Sequence, residues 1–153
     1  MEGSECIFCR ILKGELTAYF VYRGNGIAVF LDKYPVTKGH ILVVPEEHYE
    51  SVHNTPPCTA ARVWIAASAY ARFYREKLGA LGVNLITNSG RAAGQEVFHF
   101  HVHVIPRWDY RRLSGLLSGR HMLTEEEARE VAEMLKGSEH LVDEYLESLG
   151  SEC

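Results

Sequence analysis

The order of elements along the chain predicts an α+β fold with an antiparallel sheet, and three observations carry that reading. Short β-rich runs come first, then one long helical stripe, then two more β-rich runs and an acidic helical tail. Strands grouped on either side of a helix, rather than alternating with helices, argue against a parallel doubly wound sheet. A chain of 153 residues, 46% hydrophobic and 24% charged, is the size and composition of one globular domain. That composition excludes disorder, collagen and coiled coil, and no apolar run approaches the roughly 18 residues of a membrane span. The start, Met1 to Glu5, lacks the basic and apolar regions of a signal peptide, so a cytoplasmic protein is expected.

Each element has its own signal. Ser4 can cap a short helix running to about Lys13, with Gly14 as its stop. Tyr19 to Tyr22 and Ile27 to Leu31 flank Gly24-Asn25-Gly26, a hairpin turn. Ile41 to Val44 follows a turn-rich link holding Pro35 and Gly39. Thr55-Pro56-Pro57 opens a long helix that Gly79 ends. Its stripe of Val63, Ala67, Tyr70, Phe73, Tyr74 and Leu78 reads as core or subunit packing. Val83 to Thr87 and Val97 to Ile105 are strands around the glycine-rich loop Ser89 to Glu96, the second ended by Pro106. Thr124 and Glu127 form a capping box for an acidic helix, which Gly137-Ser138 breaks before a last segment from Glu139 to Leu149.

Charge is unevenly spread. The last 30 residues carry a net charge of −8 and the remainder +4, of a total of −4. A mildly basic body suits a phosphorylated small molecule better than a long nucleic acid, which wants a denser basic stripe. Of the four cysteines, Cys6 and Cys9 are spaced as a metal half-site, a redox pair or two packed thiols. The redox reading ranks last, because too few residues precede Cys6 for the strand it needs. In a cytosolic chain a disulfide framework among Cys6, Cys9, Cys58 and Cys153 is not expected.

The most informative stretch is His99-Phe100-His101-Val102-His103-Val104-Ile105. In a strand, Phe98, Phe100, Val102 and Val104 share the core face, and His99, His101 and His103 share the other. Two of the histidines could form an HxH metal pair, though a catalytic metal needs further ligands. Alternatively, one imidazole attacks while a neighbour handles charge. The preceding loop favours phosphate chemistry. Gly90 and Gly94 let backbone N–H groups converge on an anion, and Asn88, Arg91 and Gln95 add donors. Arg107, Arg111 and Arg112 follow the strand as a steering patch or a solvated cluster.

At these residues the sequence resembles the histidine triad (HIT) family of nucleotide hydrolases and transferases. The pattern His-φ-His-φ-His-φ-φ, with φ apolar, is met by His99 to Ile105. Cys6 to Leu12, Phe30-Leu31-Asp32, Lys38 to Pro45 and Gly90 to Pro106 extend the likeness over residues 4 to about 109, nearest to the Hint-like prokaryotic branch. The resemblance implies a five-stranded sheet with the long helix across it, and a homodimer with a continuous sheet. It implies that His101 is the nucleophile toward the α-phosphate of a purine nucleotide conjugate, a phosphoramidate or a dinucleoside polyphosphate. His103 and His40 hold the phosphate, and Asn88 and Gly94 contact it. Asp32 holds the ribose, and Phe8, Ile11 and Phe30 line the base pocket. Gln95 and the N–H of Glu96 complete the nucleotide site. Where the family commonly has Ser or Thr, this chain has Glu96. Some prokaryotic members bind zinc through residues matching Cys6, Cys9, His48 and His99, a closed set and hence structural; no catalytic metal is expected.

The expected organisation is a nucleotide-binding and catalytic unit, residues 1–110, and a helical extension, residues 111–153, packed on the same domain. A non-catalytic purine-nucleotide-binding regulatory dimer and a metal-dependent hydrolase using His99 and His101 are the rival readings. Neither nucleic acid nor membrane is an expected partner.

Overall fold

The computed structural model describes residues 5–153. Its elements are α1 (Ile7–Leu12), β1 (Phe20–Gly24), β2 (Ile27–Leu31), β3 (Ile41–Pro45), α2 (Pro57–Glu76), β4 (Gly82–Ile86), β5 (Val102–Arg107), α3 (Leu113–Leu117), α4 (Glu125–Met134) and α5 (Ser138–Glu147). The five strands form one sheet in the order β1-β2-β3-β5-β4, and each neighbouring pair is antiparallel. The expected α+β class and five-stranded antiparallel sheet are both present.

The sequence explains most boundaries. Asn25 and Gly26 both have positive φ, 55° and 76°, the backbone that a two-residue hairpin between twisted strands demands. The Thr124 hydroxyl accepts from the Glu127 N–H, and the Glu127 carboxylate accepts from the Thr124 N–H, so both halves of the capping box form. The expected cap Ser4 lies outside the described residues. Cys6 stands at the N-cap instead, its sulfur accepting from the Cys9 N–H.

The sheet's two faces have different coverings. Val29, Val43, Val102 and Val104 face α2, whose Val63, Ala67, Tyr70 and Tyr74 are fully buried with them. On the other face, Ala28, Phe30, Leu42 and Val44 pack against Phe8, Ile11 and Leu12 of α1. Among the described residues no helix is long and apolar enough to cross a membrane. The stripe on α2 is core, because α5 also lies on it through Val142 and Leu146. Tyr22 donates to Asp143, 2.5 Å away, and anchors α5 to β1.

Two expectations are corrected. Cys58, in the first turn of α2, is disulfide-bonded to Cys153, 95 residues away; the docked tail returns the C-terminus to the start of α2. The strand expected over Val97–Ile105 begins only at Val102 and runs through Pro106 to Arg107. Pairing with β3 stops at Val43 opposite Val102. Farther along, the Pro45 carbonyl accepts the Nε2–H of His99 at 2.9 Å, and Pro45 has no N–H to continue a ladder.

Candidate active site

Although β5 starts late, the alternation holds: Phe100, Val102 and Val104 lie in the core under α2, while Phe8 of α1 packs on the rings of both His99 and His101, and His101 packs on His103. His103 is the one on the strand, on the α1 face beside Leu42. His101 and His99 lie on the irregular approach, where they turn to different partners.

His101 is 9% exposed, and its Nδ1 lies 2.6 Å from the carbonyl oxygen of His99. A carbonyl only accepts, so Nδ1 carries the proton and Nε2 keeps a free lone pair. Burial lowers the imidazole pKa, which keeps that lone pair available at neutral pH. Phe8 packs edge-on against the ring at 5.1 Å between centroids, and His103 lies 4.9 Å away on another side.

His40 and His103 form a second unit. Val36 donates its N–H to His40 Nδ1 at 3.0 Å, so the His40 proton sits on Nε2. That Nε2 is 3.0 Å from His103 Nδ1, which therefore accepts, leaving His103 protonated on Nε2. Burial drives both pKa values down, His103 to about 3, with the charges of neighbouring histidines and Arg120 adding to it. The turn that presents His40 is fixed by packing. Gly39 has φ +95°, and a Cβ there would meet Tyr74 Oη at 3.0 Å and Pro106 at 3.2 Å. The Tyr74 hydroxyl donates to the Gly39 carbonyl.

Asp32 closes the unit. Its Oδ2 is 3.4 Å from His40 Nε2 and 3.9 Å from His103 Nδ1, and its Oδ1 accepts the Tyr34 N–H at 2.7 Å. Burial raises its pKa.

His101, His103, His40 and Asp32 border one cavity of about 950 Å³, which Phe8, Ile11, Phe30, Asn88, Gly94, Gln95 and Glu96 also line. The structure thus brings the expected nucleotide-contacting residues to one wall system. Gln95 is there for a different physical reason than a donor would be. Its amide donates to the carbonyls of Glu50 and Val97 and accepts from the Gly90 N–H, so the side chain shapes the loop. Glu96 is exposed and adds negative charge felt by Asp32. Arg91 is exposed. Arg107 and Arg111 are held by Asn84 and Asp109. The wall from Leu113 to Leu123, with Arg120, was missed by sequence reasoning. Its short α3 has no periodic signal, and no motif marks Arg120.

His99 joins another cluster. Its Nδ1 lies 3.4 Å from Cys6 Sγ, 3.5 Å from Cys9 Sγ and 3.2 Å from His48 Nδ1. Cys9 Sγ is 3.4 Å from His48 Nδ1. Tetrahedral zinc with ordinary bond lengths sets sulfur–nitrogen edges of roughly 3.5 Å and a nitrogen–nitrogen edge of roughly 3.3 Å. The donor set fits that ion in kind and in spacing. His99 also has the correct tautomer, because donating Nε2–H to Pro45 leaves Nδ1 free to ligate. His101 is not part of this cluster: its Nδ1 is tied to the His99 carbonyl, while the His99 ring turns its Nδ1 to the two thiols.

Comparison with known proteins places this geometry. The HIT domain model matches residues 13–109. Protein hit of Bacillus subtilis is 41% identical over 106 residues, 69% of this chain and 73% of that protein. Adenylylsulfatase HINT3 of Arabidopsis thaliana is 35% identical over 104 residues, 68% of this chain and 53% of that longer protein. Among solved structures, a Zn-bound histidine triad family protein from Mycobacterium smegmatis superposes with a TM-score of 0.71 at 35% identity, covering 88% of this chain and 95% of that one. With its histidines, loop and sheet arranged as described, the chain belongs to the HIT domain family.

Proposed function

We propose that this protein is a nucleotide hydrolase or nucleotidyl transferase that acts at the α-phosphate of purine nucleotide conjugates, phosphoramidates or dinucleoside polyphosphates, through a nucleotidyl-histidine intermediate. The observation that carries the reading is the His101 tautomer: Nδ1–H is tied to the His99 carbonyl, so an unprotonated Nε2 is presented beside the cavity. In the first step the Nε2–phosphorus bond forms as the bond from phosphorus to the leaving group breaks. In the second, water or another acceptor attacks phosphorus and the phosphorus–nitrogen bond breaks, which restores His101. The Nε2–H of His103, held in place by His40, donates to the phosphoryl oxygens as charge builds on them. Asn88, Gly94 and Glu96 line the same cavity, and the Asn88 amide and the backbone N–H groups of this loop are the donors offered to the phosphate. Phe8, Ile11 and Phe30 offer an apolar slot for the base, and Asp32 offers an acceptor for ribose hydroxyls. The Arabidopsis relative is called an adenylylsulfatase, which is chemistry at the same kind of phosphorus.

Zinc would be held by Cys6, Cys9, His48 and His99, as a closed structural site tying α1 to the segment that presents His101. The Mycobacterium smegmatis neighbour is Zn-bound. Residues 1–110 form the catalytic unit, and 111–153 form an extension packed on it. β4, an edge strand that is half-buried along its length, is the surface on which a second subunit would continue the sheet.

The test is turnover of adenosine 5′-phosphoramidate by the wild type and by His101→Gly. The expected outcome is AMP release by the wild type, a fall of at least about a thousandfold in the variant, and AMP affinity retained in both. Wild-type turnover in the variant removes His101 as nucleophile. AMP binding without any turnover favours the regulatory dimer instead.

A further inference from the structure

The run from Leu113 to Leu123 comes back to the site from beyond β5. Leu113, Leu117, Arg120, Met122 and Leu123 make one wall of the cavity. Among the lining residues only Lys33 and Arg120 carry a permanent positive charge, against Asp32 and Glu96.

Arg120 is held by one hydrogen bond, from Nε to the Tyr34 carbonyl at 2.7 Å. Its Nη2 stops 3.8 Å from Asp32 Oδ1, beyond hydrogen-bond reach. A guanidinium has five N–H donors, so most of this one is uncommitted among the described residues, and the side chain is 34% exposed. Lys38 and Arg111 do not line this cavity and pair on the surface, with Glu130 at 2.8 Å and Asp109 at 2.9 Å; Lys33 is the other cation in the lining, a flexible ammonium rather than a planar fork. A planar fork with free donors, anchored at its stem and set beside the histidines, is built to take an oxyanion in bidentate fashion. The cavity of about 950 Å³ lies near the top of the range for small-molecule sites, larger than a nucleoside monophosphate alone requires.

We infer that Arg120 forms a second oxyanion subsite, which binds a phosphate- or sulfate-like group of the substrate other than the one that His101 attacks. This rests on the reading of the cavity as a nucleotide site and adds a substrate class to it: nucleotides carrying a second oxyanion are preferred over conjugates with a neutral leaving group. The second oxyanion belongs either to the leaving group or to a ribose phosphate beside Asp32. Both present the same three-oxygen face to the guanidinium. Without Arg120, an oxyanion at this position would meet the Asp32 carboxylate with no guanidinium between them and be repelled.

Calorimetric titration of the zinc-loaded protein with AMP, ADP and adenosine 3′,5′-bisphosphate tests this in the wild type, Arg120→Gln and Arg120→Lys, with thermal melts confirming that the variants fold. The expected result is that the wild type binds ADP or the bisphosphate more tightly than AMP. Arg120→Gln should reduce that preference about tenfold, the value of one charge-assisted contact, and Arg120→Lys should restore part of it. A preference for ADP assigns the oxyanion to the leaving-group side, and one for the bisphosphate assigns it to the ribose side. Equal losses on all three ligands, or none, overturn the subsite while leaving the nucleotide reading intact. Failure of AMP itself to bind the wild type overturns both.

Discussion

His99 and His101 are coupled through one residue's backbone: the His99 ring faces Cys6, 3.4 Å away, while the His99 carbonyl fixes the proton of His101 at 2.6 Å. A metal on that ring would therefore steady the group that sets the tautomer of the proposed nucleophile. Protein purified without added metal is expected to contain about one zinc per chain by elemental analysis. Cys6→Ser/Cys9→Ser should lose it, melt at lower temperature, and keep measurable turnover where still folded. A protein without zinc whose Cys6 and Cys9 both react freely with thiol reagents would remove the metal site.

How far the site could be foreseen follows the range of each signal. His101, His103, His40 and Asp32 were legible because the family pattern quoted them, and the structure gathers them around one cavity. Alternation puts His99, His101 and His103 on one side, and Phe8 does touch the rings of both His99 and His101; what alternation could not show is that His99 turns its Nδ1 to Cys6 and Cys9. Gln95 was legible as a polar loop residue but not as the brace of its own loop, since its partner Glu50 is distant in sequence. Arg120 and the Cys58–Cys153 pair were out of reach for the same reason: both depend on how the tail folds back.

The disulfide closes a loop of about 95 residues, for which chain entropy suggests up to about 4–5 kcal/mol of stabilisation. Tyr22–Asp143 and the buried Val142 and Leu146 also hold the tail, so reduction should loosen the C-terminus without unfolding the sheet. Cys153→Ser is expected to lower the melting temperature by several degrees and to make the non-reduced wild type, but not the variant, shift on gels after reduction. An unchanged melting temperature together with a titratable Cys153 in the oxidised wild type would show that the bond does not form.

Stability should fall as pH drops below neutrality. In the unfolded chain, His40 and His103 titrate near the ordinary 6.5; in the fold, burial holds His103 at about 3 and His40 well below its ordinary value. Between those values the unfolded chain binds more protons, so acid favours unfolding. Asp32 works with the opposite sign, its pKa raised above 3.8 by burial, so the comparison is best kept above pH 5. From pH 7.5 to 5, His103 should cost about 2 kcal/mol, and His40 acts in the same direction. The urea midpoint should fall over that range, and by less in His103→Asn. An equal fall in the variant would place the acid sensitivity elsewhere.

Glu96 is where the chain departs from its family. The sequence-based expectation is a side chain turned outward toward Arg91 or Arg107, leaving only its N–H at the site. The side chain is exposed as expected, but Arg107 is already committed to Asn84 and the Arg111 carbonyl, and no ion pair joins Glu96 to either arginine among the described residues. Its charge instead falls on the cavity that it lines and on Asp32. An ionised carboxylate cannot donate to a phosphate oxygen, and it repels one. Glu96→Ser replaces that repulsion with one neutral hydrogen bond, worth about 0.5–1.5 kcal/mol. Turnover of the phosphoramidate or affinity for AMP should therefore rise, by up to roughly tenfold. The gain should be larger at low salt, where a part-exposed charge is less screened. Steady-state kinetics at two salt concentrations reads both effects. Loss of activity in Glu96→Ser would make the glutamate a working acid or base at this site, and the roles assigned to His103 and Asn88 would then have to be redrawn around it.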